Sequence, residues 1–280
     1  MPPGLHFVAT PIGAARDITL RALDTLAGAD LLAAEDTRTL RHLMEIHGIP
    51  LAGRSILPYH DHNGPEMRPR ILAALAEGRS VAYASEAGTP LVADPGYQLG
   101  RAAIEAGFTV LAAPGPSAAL AALTVSGLAS DRFLFAGFPP TGTAARRTWC
   151  LELAGLPATV ILFESPKRVR ETLADLALTF GETREAAVCR ELTKRYEDIS
   201  RGTLGSLRDR FDSDPKGEIV LVIDRARTPQ ATAEDLEAAL RQALATMRVK
   251  DAAATVAEAL GLPKREVYQA ALRLGQGGEG

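Results

Sequence analysis

Short apolar runs that each end in a cluster of glycine and proline alternate with helical patterns in the first part of this 280-residue chain. The runs predict buried strands at residues 5–10, 30–34, 80–84 and 108–112. Between them, leucine, isoleucine and methionine recur three or four residues apart, as they do on one face of a helix. Because alternating strands and helices form parallel pairs, we predict an α/β fold with a largely parallel sheet.

A second group of apolar runs follows an Ala/Leu segment and predicts a second α/β domain. Its strands are expected at residues 133–138, 158–163, 186–190 and 218–223. The last run is continuous and rich in β-branched residues, which is typical of a central strand.

The remainder of the chain predicts a small helical domain. Residues 224–232 include a proline and few apolar side chains, so we expect a linker there. Leu236, Leu240 and Leu244 then share one helix face, and a turn at residues 261–263 separates two more helices, which is helix-turn-helix spacing. The predicted domains are residues 1–116, 117–226 and 233–280.

Polar residues accompany the Gly/Pro clusters, which occupy residues 8–13, 34–38, 85–96 and 114–117. In open α/β sheets ligands bind beyond the carboxyl ends of the strands, so we predict one small-molecule site built from these clusters. The first cluster matches neither GxGxxG nor GxxxxGK[ST] and gives no support for a dinucleotide or a P-loop nucleotide. Taken alone, it is more simply explained as an ordinary tight turn.

The cluster at residues 85–96 is the most telling of the four. Gly88 lets a ligand approach the backbone closely, and Ser85 and Thr89 supply hydroxyl groups. Glu86 is either a carboxylate that faces a ligand or a surface charge. Asp94 is expected to cap the helix that follows.

Charged and imidazole side chains follow two other predicted segments. Glu35, Asp36 and Arg38 could position or activate a hydroxyl group, or they could pair with one another as a cap and ion-pair cluster. His60 and His62 would share one face of an extended segment, but two imidazoles without a third ligand make a weak metal site. A polar loop that contacts the substrate is the better interpretation of this segment.

Basic residues gather after two predicted strands of the second domain, where they suit a polyanion because arginine and lysine neutralise phosphates whatever the sequence. A solvated charged face is the alternative for each of them. The residues are Lys167, Arg168, Arg170, Arg190, Lys194 and Arg195. The net charge of the whole chain is only −3, so any contact with nucleic acid must come from such local patches.

Cysteine content and hydropathy indicate in which cellular compartment the protein is expected. Cys150 and Cys189 lie in unrelated contexts, so neither a disulfide framework nor a cysteine-based zinc site is expected, which fits a reducing cytoplasm. The chain shows no signal-peptide pattern and no run approaching about 18 apolar residues. We therefore predict a cytoplasmic protein without a membrane span.

Several motifs occur together and in order, and their combination is far more specific than any one of them. They read ATPIG, DITLRAL, AEDTR, HDHN, SEAGTP-x3-DPG, PGPSA, GFPP, FESP-x-R, RELTK and a strand that opens with Gly217 and Glu218. Over almost its whole length the chain resembles the tetrapyrrole-methylase superfamily of S-adenosylmethionine enzymes. Within it, the match is closest to the RsmI family of bacterial 16S rRNA (cytidine) 2′-O-methyltransferases. The family usually has aspartate where this chain has Glu86, and often asparagine where it has Ala14.

The resemblance implies a folded S-adenosylmethionine molecule in a cleft between the two α/β domains, and a homodimer. It implies methylation of a cytidine ribose 2′-oxygen in the decoding region of 16S rRNA, with no metal ion. The residues that would contact the cofactor are Pro11, Ser85, Ala87, Gly88, Thr89, Val92, Ser117, Ala118, Phe163 and Leu192. The C-terminal helices resemble the small accessory domain of this family.

Removal of the 2′-hydroxyl proton suits a carboxylate or a desolvated lysine. The sequence leaves four catalytic candidates open, which are Glu35, Asp36, Glu191 and Lys194. Arg38 or Lys194 could instead stabilise a developing alkoxide or hold a phosphate. Contacts to RNA are expected from Arg38, His60, His62, Lys167, Arg168 and Arg190.

Two other functions stay open on the sequence alone. A methylase that acts on a tetrapyrrole would use the same fold and cofactor, but it would leave the basic motifs and the C-terminal helices unexplained. An RNA-binding module without enzymatic activity would leave the Gly/Pro site unexplained. It is also open whether the C-terminal helices contact RNA or only the dimer partner.

Overall fold

The computed structural model describes residues 1–60, 62–93, 96–211, 215–226 and 233–276. The chain divides into two compact units, Met1–Ala226 and Arg227–Gly280, which we treat separately. The first unit contains two five-stranded sheets with helices, and the described part of the second is helical, which confirms the predicted fold class. Among the described residues, no helix combines the length and the apolar content that crossing a bilayer requires.

The first sheet contains five short strands. They are β1 (Gly4–Val8), β2 (Leu31–Ala34), β3 (Ile56–Pro58), β4 (Ser80–Ala84) and β5 (Val110–Ala113). The strands lie in the order β3-β2-β4-β1-β5, and all pairs are parallel. The helices that connect them are α1 (Leu20–Gly28), α2 (Thr37–Ile46), α3 (Gly64–Ala76) and α4 (Tyr97–Glu105). The sequence pattern predicts four of these strands and misses β3, which is only 3 residues long.

The carboxyl ends of four strands of this sheet lie level with one another. Val8 of β1 pairs with Ala84 of β4 and with Ala113 of β5, and Ala34 of β2 also pairs with Ala84. The segments that follow these strands therefore begin side by side at one edge of the sheet, as the Gly/Pro clusters predict.

Two helices in this part of the chain, α1 and α2, are capped by short polar side chains. Asp17 and Thr19 are both reasonable N-caps for α1, and the structure uses Thr19, whose hydroxyl accepts a 3.2 Å hydrogen bond from the backbone N–H of Ala22. Asp94, predicted to cap α4, lies outside the described residues, so its role stays a prediction.

The second sheet is mixed, so the expectation of a largely parallel sheet holds only for the first. Its strands are β6 (Phe133–Gly137), β7 (Thr159–Glu164), β8 (Glu185–Arg190), β9 (Asp198–Thr203) and β10 (Ile219–Ile223). In the order β6-β7-β10-β8-β9, only β6 and β7 pair in parallel. Its helices are α5 (Ala118–Ser126), α6 (Thr143–Ala154), α7 (Val169–Phe180) and α8 (Leu204–Arg210). β10 is central and buried throughout, as its apolar run predicts.

Ile12, which follows β1, connects the two sheets through apolar packing. It is 8% exposed and belongs to the same hydrophobic cluster as Ala119, Leu192 and Val220. Because Leu192 and Val220 come from the second sheet and its loops, the loop after β1 is fixed against that sheet rather than left open.

The C-terminal unit consists, in its described part, of α9 (Ala233–Leu244), α10 (Val249–Leu260) and α11 (Lys264–Gln276). These helices enclose a small core that includes Leu240, Val256, Val267 and Ala271. They correspond to the three helices that the sequence predicts. Most of the predicted linker, residues 227–232, lies outside the described part of the chain, and the domain boundaries stay a prediction.

Candidate active site

A cavity of about 240 Å³ lies beyond the carboxyl ends of β1, β4 and β5 and reaches the second sheet. From the first sheet and α5 it is lined by Ile12, Ala87, Gly88, Thr89, Val92, Ser117 and Ala118. From the second sheet it is lined by Phe138, Phe163, Glu164, Glu218, Ile219 and Val220. Apolar walls with only a few polar groups suit a small organic ligand, and the Glu218 carboxylate adds negative charge to one side of the cavity.

The loop after β4 is locked to the loop after β1. Thr10 and Gly88 exchange two backbone hydrogen bonds of 2.9 and 3.0 Å. The hydroxyl of Ser85 is buried and donates to the carbonyl oxygen of Gly88 over 2.6 Å. Gly88 has a φ of +83°, and a Cβ there would meet Cγ2 of Ile12 at 3.3 Å, so both its conformation and its surroundings favour glycine.

Seven of the ten residues predicted to contact the cofactor line this cavity: Ala87, Gly88, Thr89, Val92, Ser117, Ala118 and Phe163. Pro11, Ser85 and Leu192 do not line it. Pro11 precedes Ile12, and Leu192 packs in the same cluster as Ile12. The hydroxyl of Thr89 donates to the carbonyl oxygen of Pro116 over 2.8 Å, so it holds the loops together as Ser85 does.

Sequence reasoning assigns no site role to several residues that line the cavity. They are Ile12, Phe138, Glu164, Glu218, Ile219 and Val220. Phe138 and Glu164 belong to the GFPP and FESP motifs, and Glu218 opens β10, so their position at strand ends is the signal that could have found them.

Asp36 and Arg38 form a closed pair at the start of α2. The Asp36 carboxylate accepts hydrogen bonds from the Arg38 guanidinium (2.8 Å) and from the backbone N–H of Arg38 (2.7 Å) and Thr39 (3.3 Å). The guanidinium and then the backbone N–H of Arg38 lower the pKa of Asp36 to about 2. An acid this strong accepts a proton poorly at neutral pH. The structure therefore favours the interpretation in which Asp36 and Arg38 pair with each other and Asp36 caps α2.

Glu86 has the opposite shift. It precedes Ala87, which lines the cavity, and it is exposed on the loop after β4. Partial burial of the carboxylate, followed by the negative charges of Glu35, Asp36 and Glu218, raises the pKa of Glu86 above the usual value for glutamate. Glu86 therefore lies among carboxylates of both sheets and binds a proton more readily than Asp36.

Lys194 is held between two glutamates. Its Nζ lies 2.9 Å from Oε1 of Glu191 and 2.9 Å from Oε2 of Glu218, which lines the cavity. Partial burial lowers the pKa of Lys194, but the two carboxylates outweigh this effect and the net result is a raised pKa. The backbone N–H of Glu218 and then Lys194 lower the pKa of Glu191. Both side chains are therefore charged at neutral pH, and Lys194 is a fixed cation rather than a base.

The cations that are predicted to contact RNA differ in the hydrogen bonds and ion pairs that they form within the protein. Arg168 Nη2 donates hydrogen bonds to the carbonyl oxygens of Pro139 (2.8 Å) and Pro140 (2.9 Å). This nitrogen is therefore already bonded within the protein. Within the described residues, Arg190 Nη1 contacts the carbonyl oxygen of Lys216 at 3.4 Å. Lys167 is exposed, and its ammonium has no ion pair within the described part of the chain.

His60 and His62 lie next to each other and are not among the residues that line the cavity. Their ring centroids are 6.0 Å apart, and the backbone N–H of His60 donates to Oδ1 of Asn63 over 2.9 Å. Asp61, between them, lies outside the described residues. Within the described ranges, no group of three histidine, cysteine or acidic side chains is arranged to hold a metal ion.

Two family models match the chain. The model of the tetrapyrrole (corrin/porphyrin) methylases matches residues 4–208. The model of the RsmI C-terminal HTH domain matches residues 230–275. The first match covers most of both sheets, and the second covers the three C-terminal helices.

Full-length relatives are similar along nearly the whole chain. Ribosomal RNA small subunit methyltransferase I of Mesorhizobium japonicum is 47% identical over 274 residues, which is 97% of this chain and 92% of that protein. The protein of the same name from Escherichia coli O157:H7 is 41% identical over 275 residues, 96% of this chain and 94% of that protein. The crystal structure of uroporphyrin-III-C-methyltransferase from Thermus thermophilus has a TM-score of 0.55 at 21% identity over 79% of this chain and 94% of that one, which is a likeness of fold.

Proposed function

The chain belongs to the tetrapyrrole methylase family and, within it, to the ribosomal RNA small subunit methyltransferases I, and from this we propose that it methylates the ribose 2′-oxygen of a cytidine in 16S rRNA. It is a methyltransferase. The observation that carries the choice of substrate is the 47% identity to a relative of that name over 97% of the chain. We also propose that it acts in the cytoplasm.

S-adenosylmethionine fits the cavity beyond β1, β4 and β5. The small residues Ala87, Gly88 and Ala118 leave room there, Phe163 provides an apolar wall, and the Glu218 carboxylate suits a positively charged ligand. When bound, S-adenosylmethionine supplies a methyl group on a sulfonium sulfur, which is already activated for transfer to an oxygen. The chain itself must hold the ribose hydroxyl in place and accept its proton.

Glu86 is the proton acceptor that the electrostatics favour. Asp36 and Glu191 have lowered pKa values because their partners stabilise the ionised forms, and Lys194 is protonated. Glu86 is a carboxylate with a raised pKa, next in sequence to Ala87 at the cavity wall. The negative charge of Glu35 contributes to that raised pKa.

Lys194 has a supporting role in this scheme. It neutralises part of the negative charge that Glu191 and Glu218 bring to the cavity edge, and it fixes Glu218 in position. A cation held close to the site also stabilises negative charge that develops on the attacking oxygen. This corresponds to the electrostatic alternative that the sequence leaves open for Lys194.

The proposed function is tested by methyl transfer from labelled S-adenosylmethionine to small ribosomal subunits that lack the modification, followed by nuclease mapping of the product. We expect the label on one cytidine ribose. If the protein binds S-adenosylmethionine but labels a tetrapyrrole instead of RNA, the small-molecule methylase is the correct function. If it binds RNA without binding S-adenosylmethionine, it is a non-enzymatic RNA-binding module.

We further propose a homodimer formed through the sheet edges β5 and β6. Each is an edge strand of its sheet, and each exposes apolar side chains. Leu111 of β5 is 43% exposed, and Phe133 and Leu134 of β6 are 46% and 37% exposed. Leu120 of α5 is 51% exposed. Exposed, apolar edge strands favour association with another chain, and a two-fold interface uses the same patch of both subunits.

Charge placed on these edges should therefore separate the subunits. We expect the double variant Leu111→Glu with Phe133→Glu to be monomeric in light-scattering measurements at concentrations where the parent protein is dimeric. Leu151→Glu, on an exposed position of α6, is the matched control and should leave the mass unchanged. A monomeric parent, or a dimer that survives the double change, would contradict the proposed interface.

A further inference from the structure

Phe138 presents an aromatic ring to solvent at the edge of the cavity. The residue is 56% exposed, whereas the other large apolar residues that line the cavity are buried or partly buried. A single exposed apolar side chain is common on protein surfaces and by itself assigns no role. The surroundings of Phe138 distinguish it, because they hold its ring in one place.

The end of β6 places this ring at the edge of the cavity. The pairing of β6 with β7 is irregular between Phe135 and Gly137, and Gly137 has a φ of +74°, which favours glycine. Such irregularities redirect the side chains that follow them. The Phe138 ring then contacts the ring of Phe163 edge to face, with centroids 5.7 Å apart, and Phe163 contacts Phe135 in the same manner at 4.7 Å.

Arg168 holds the backbone immediately after Phe138. Its Nη2 donates to the carbonyl oxygens of Pro139 and Pro140, and both prolines restrict their own φ. The loop therefore loses little further freedom when a ligand binds to the ring, and less ordering makes binding stronger.

Arg168 is in turn fixed by Glu164. The Glu164 side chain is fully buried, and its carboxylate lies 3.5 Å from Arg168 Nη2. It also accepts hydrogen bonds from the hydroxyl of Thr172 (2.6 Å) and the backbone N–H of Ser165 (2.7 Å). Because a buried carboxylate requires a countercharge, Arg168 is tied to this position and acts on the loop that follows Phe138.

We propose that Phe138 is the stacking surface for the nucleobase of the nucleotide whose ribose is methylated, and that Arg168 is a positioning residue for it. This proposal rests on the proposed function. Proteins that recognise single-stranded RNA stack unpaired bases on aromatic side chains. A ring that is open to solvent and rigidly held at the rim of a methyl-donor cavity meets that requirement.

The occupant is an RNA base rather than the adenine of the cofactor because of what surrounds the ring. A small ligand in a pocket is mostly enclosed, whereas the Phe138 ring faces solvent. Lys167, adjacent in sequence to the arginine that anchors the loop, is exposed and has no ion pair in the described residues, so it is available to a phosphate of the same strand.

The test compares Phe138→Ala with Phe138→Trp, and uses Leu178→Ala, an exposed apolar truncation on α7, as the matched control. For Phe138→Ala we expect the KM for unmodified small ribosomal subunits to rise about 10- to 100-fold at constant salt, which is the effect of losing one stacked base. The Kd for S-adenosylmethionine, measured by calorimetry, should not change. Phe138→Trp should restore the KM, and Leu178→Ala should keep it.

Each other outcome has a separate meaning. If Phe138→Ala weakens S-adenosylmethionine binding and leaves the KM for subunits unchanged, the ring belongs to the cofactor site and the proposal is wrong. If neither quantity changes, the ring binds nothing. If the parent protein itself does not label RNA, the proposed function fails, and this result is distinct from a failure of the Phe138 proposal alone.

The positioning role of Arg168 has its own test. Arg168→Met is combined with Glu164→Gln, so that no buried carboxylate is left without a countercharge. We expect a higher KM for subunits, an unchanged dependence of KM on salt, and little additional effect when Phe138→Ala is added. Lys167→Met should instead weaken the salt dependence, as the loss of a phosphate contact does. The positioning role is wrong if the Arg168 variant weakens the salt dependence of KM and its effect on KM adds fully to that of Phe138→Ala.

Discussion

Glu86→Gln is expected to lower the kcat of methyl transfer by about 10²- to 10⁴-fold, which is the usual contribution of a general base. The amide keeps the shape of the side chain but cannot take up the hydroxyl proton. Binding of S-adenosylmethionine should persist, because the cavity walls are unchanged. Glu86→Asp keeps the acid with a shorter side chain, as found at this position in the family, and should keep most of the activity.

The pH profile provides an independent check on Glu86. Partial burial and the charges of Glu35, Asp36 and Glu218 raise the pKa of Glu86, and only its ionised form accepts a proton. Activity should therefore fall as the pH decreases through a pKa above the ordinary glutamate range, and this acid limb should be absent from the residual activity of Glu86→Gln.

The same substitution should keep or raise the stability of the protein, although it lowers the activity. A carboxyl group with a raised pKa favours folding in its protonated form, and that contribution is lost as the pH rises through the folded-state pKa. At neutral pH, Glu86→Gln should therefore have a Tm equal to or above that of the parent, so its lost activity does not reflect unfolding. Glu105→Gln, which removes an exposed partner of Arg101, is the control and should keep full kcat. A Glu86→Gln enzyme with parental kcat and acid limb would assign the proton to another acceptor.

Residues that enter the cavity from the loop after β4 could be predicted from a local sequence pattern, whereas several that arrive from the second sheet could not. Ala87, Gly88 and Thr89 follow one apolar run, so a local pattern places them at a strand end. Phe138 and Glu218 reach the same cavity from the ends of β6 and β10, and only the pairing of the second sheet brings them there. The same holds for the fold, because the polar edge strand β9 has no apolar run to reveal it.

Charge pairs decide the roles of the candidate side chains, and most of these pairs are not local. Lys194 and Glu191 are three residues apart, but Glu218, the second partner of Lys194, is 24 residues away. Arg168 bonds to carbonyl groups that precede it by 28 and 29 residues. The sequence therefore identifies these cations as candidates. The structure distinguishes a fixed cation, Lys194, and a loop anchor, Arg168, from Lys167, which has no ion pair among the described residues.

Asp175 on α7 is the buried charge whose loss should cost the most stability. Its carboxylate accepts hydrogen bonds of 2.7 Å from Nε of Arg146 and 2.7 Å from Nε of Arg147, both on α6. The side chains of Asp175 and Arg146 are only 3% and 2% exposed. Arg146 also donates to the carbonyl oxygen of Thr141, so the pair joins α6, α7 and the loop after β6.

We expect Asp175→Asn to lower the free energy of unfolding by about 3–5 kcal/mol, because the buried guanidinium of Arg146 then keeps only a 3.4 Å contact with the exposed carboxylate of Glu171. Denaturant titration of the parent and the variant measures this difference. Asp209→Asn, which removes an exposed partner of Arg208, should cost less than about 1 kcal/mol. Replacing both buried partners, Arg146→Met with Asp175→Leu, should recover much of the loss, since no buried charge then remains unpaired. If Asp175→Asn costs no more than Asp209→Asn, the ion pair between α6 and α7 does not stabilise the fold.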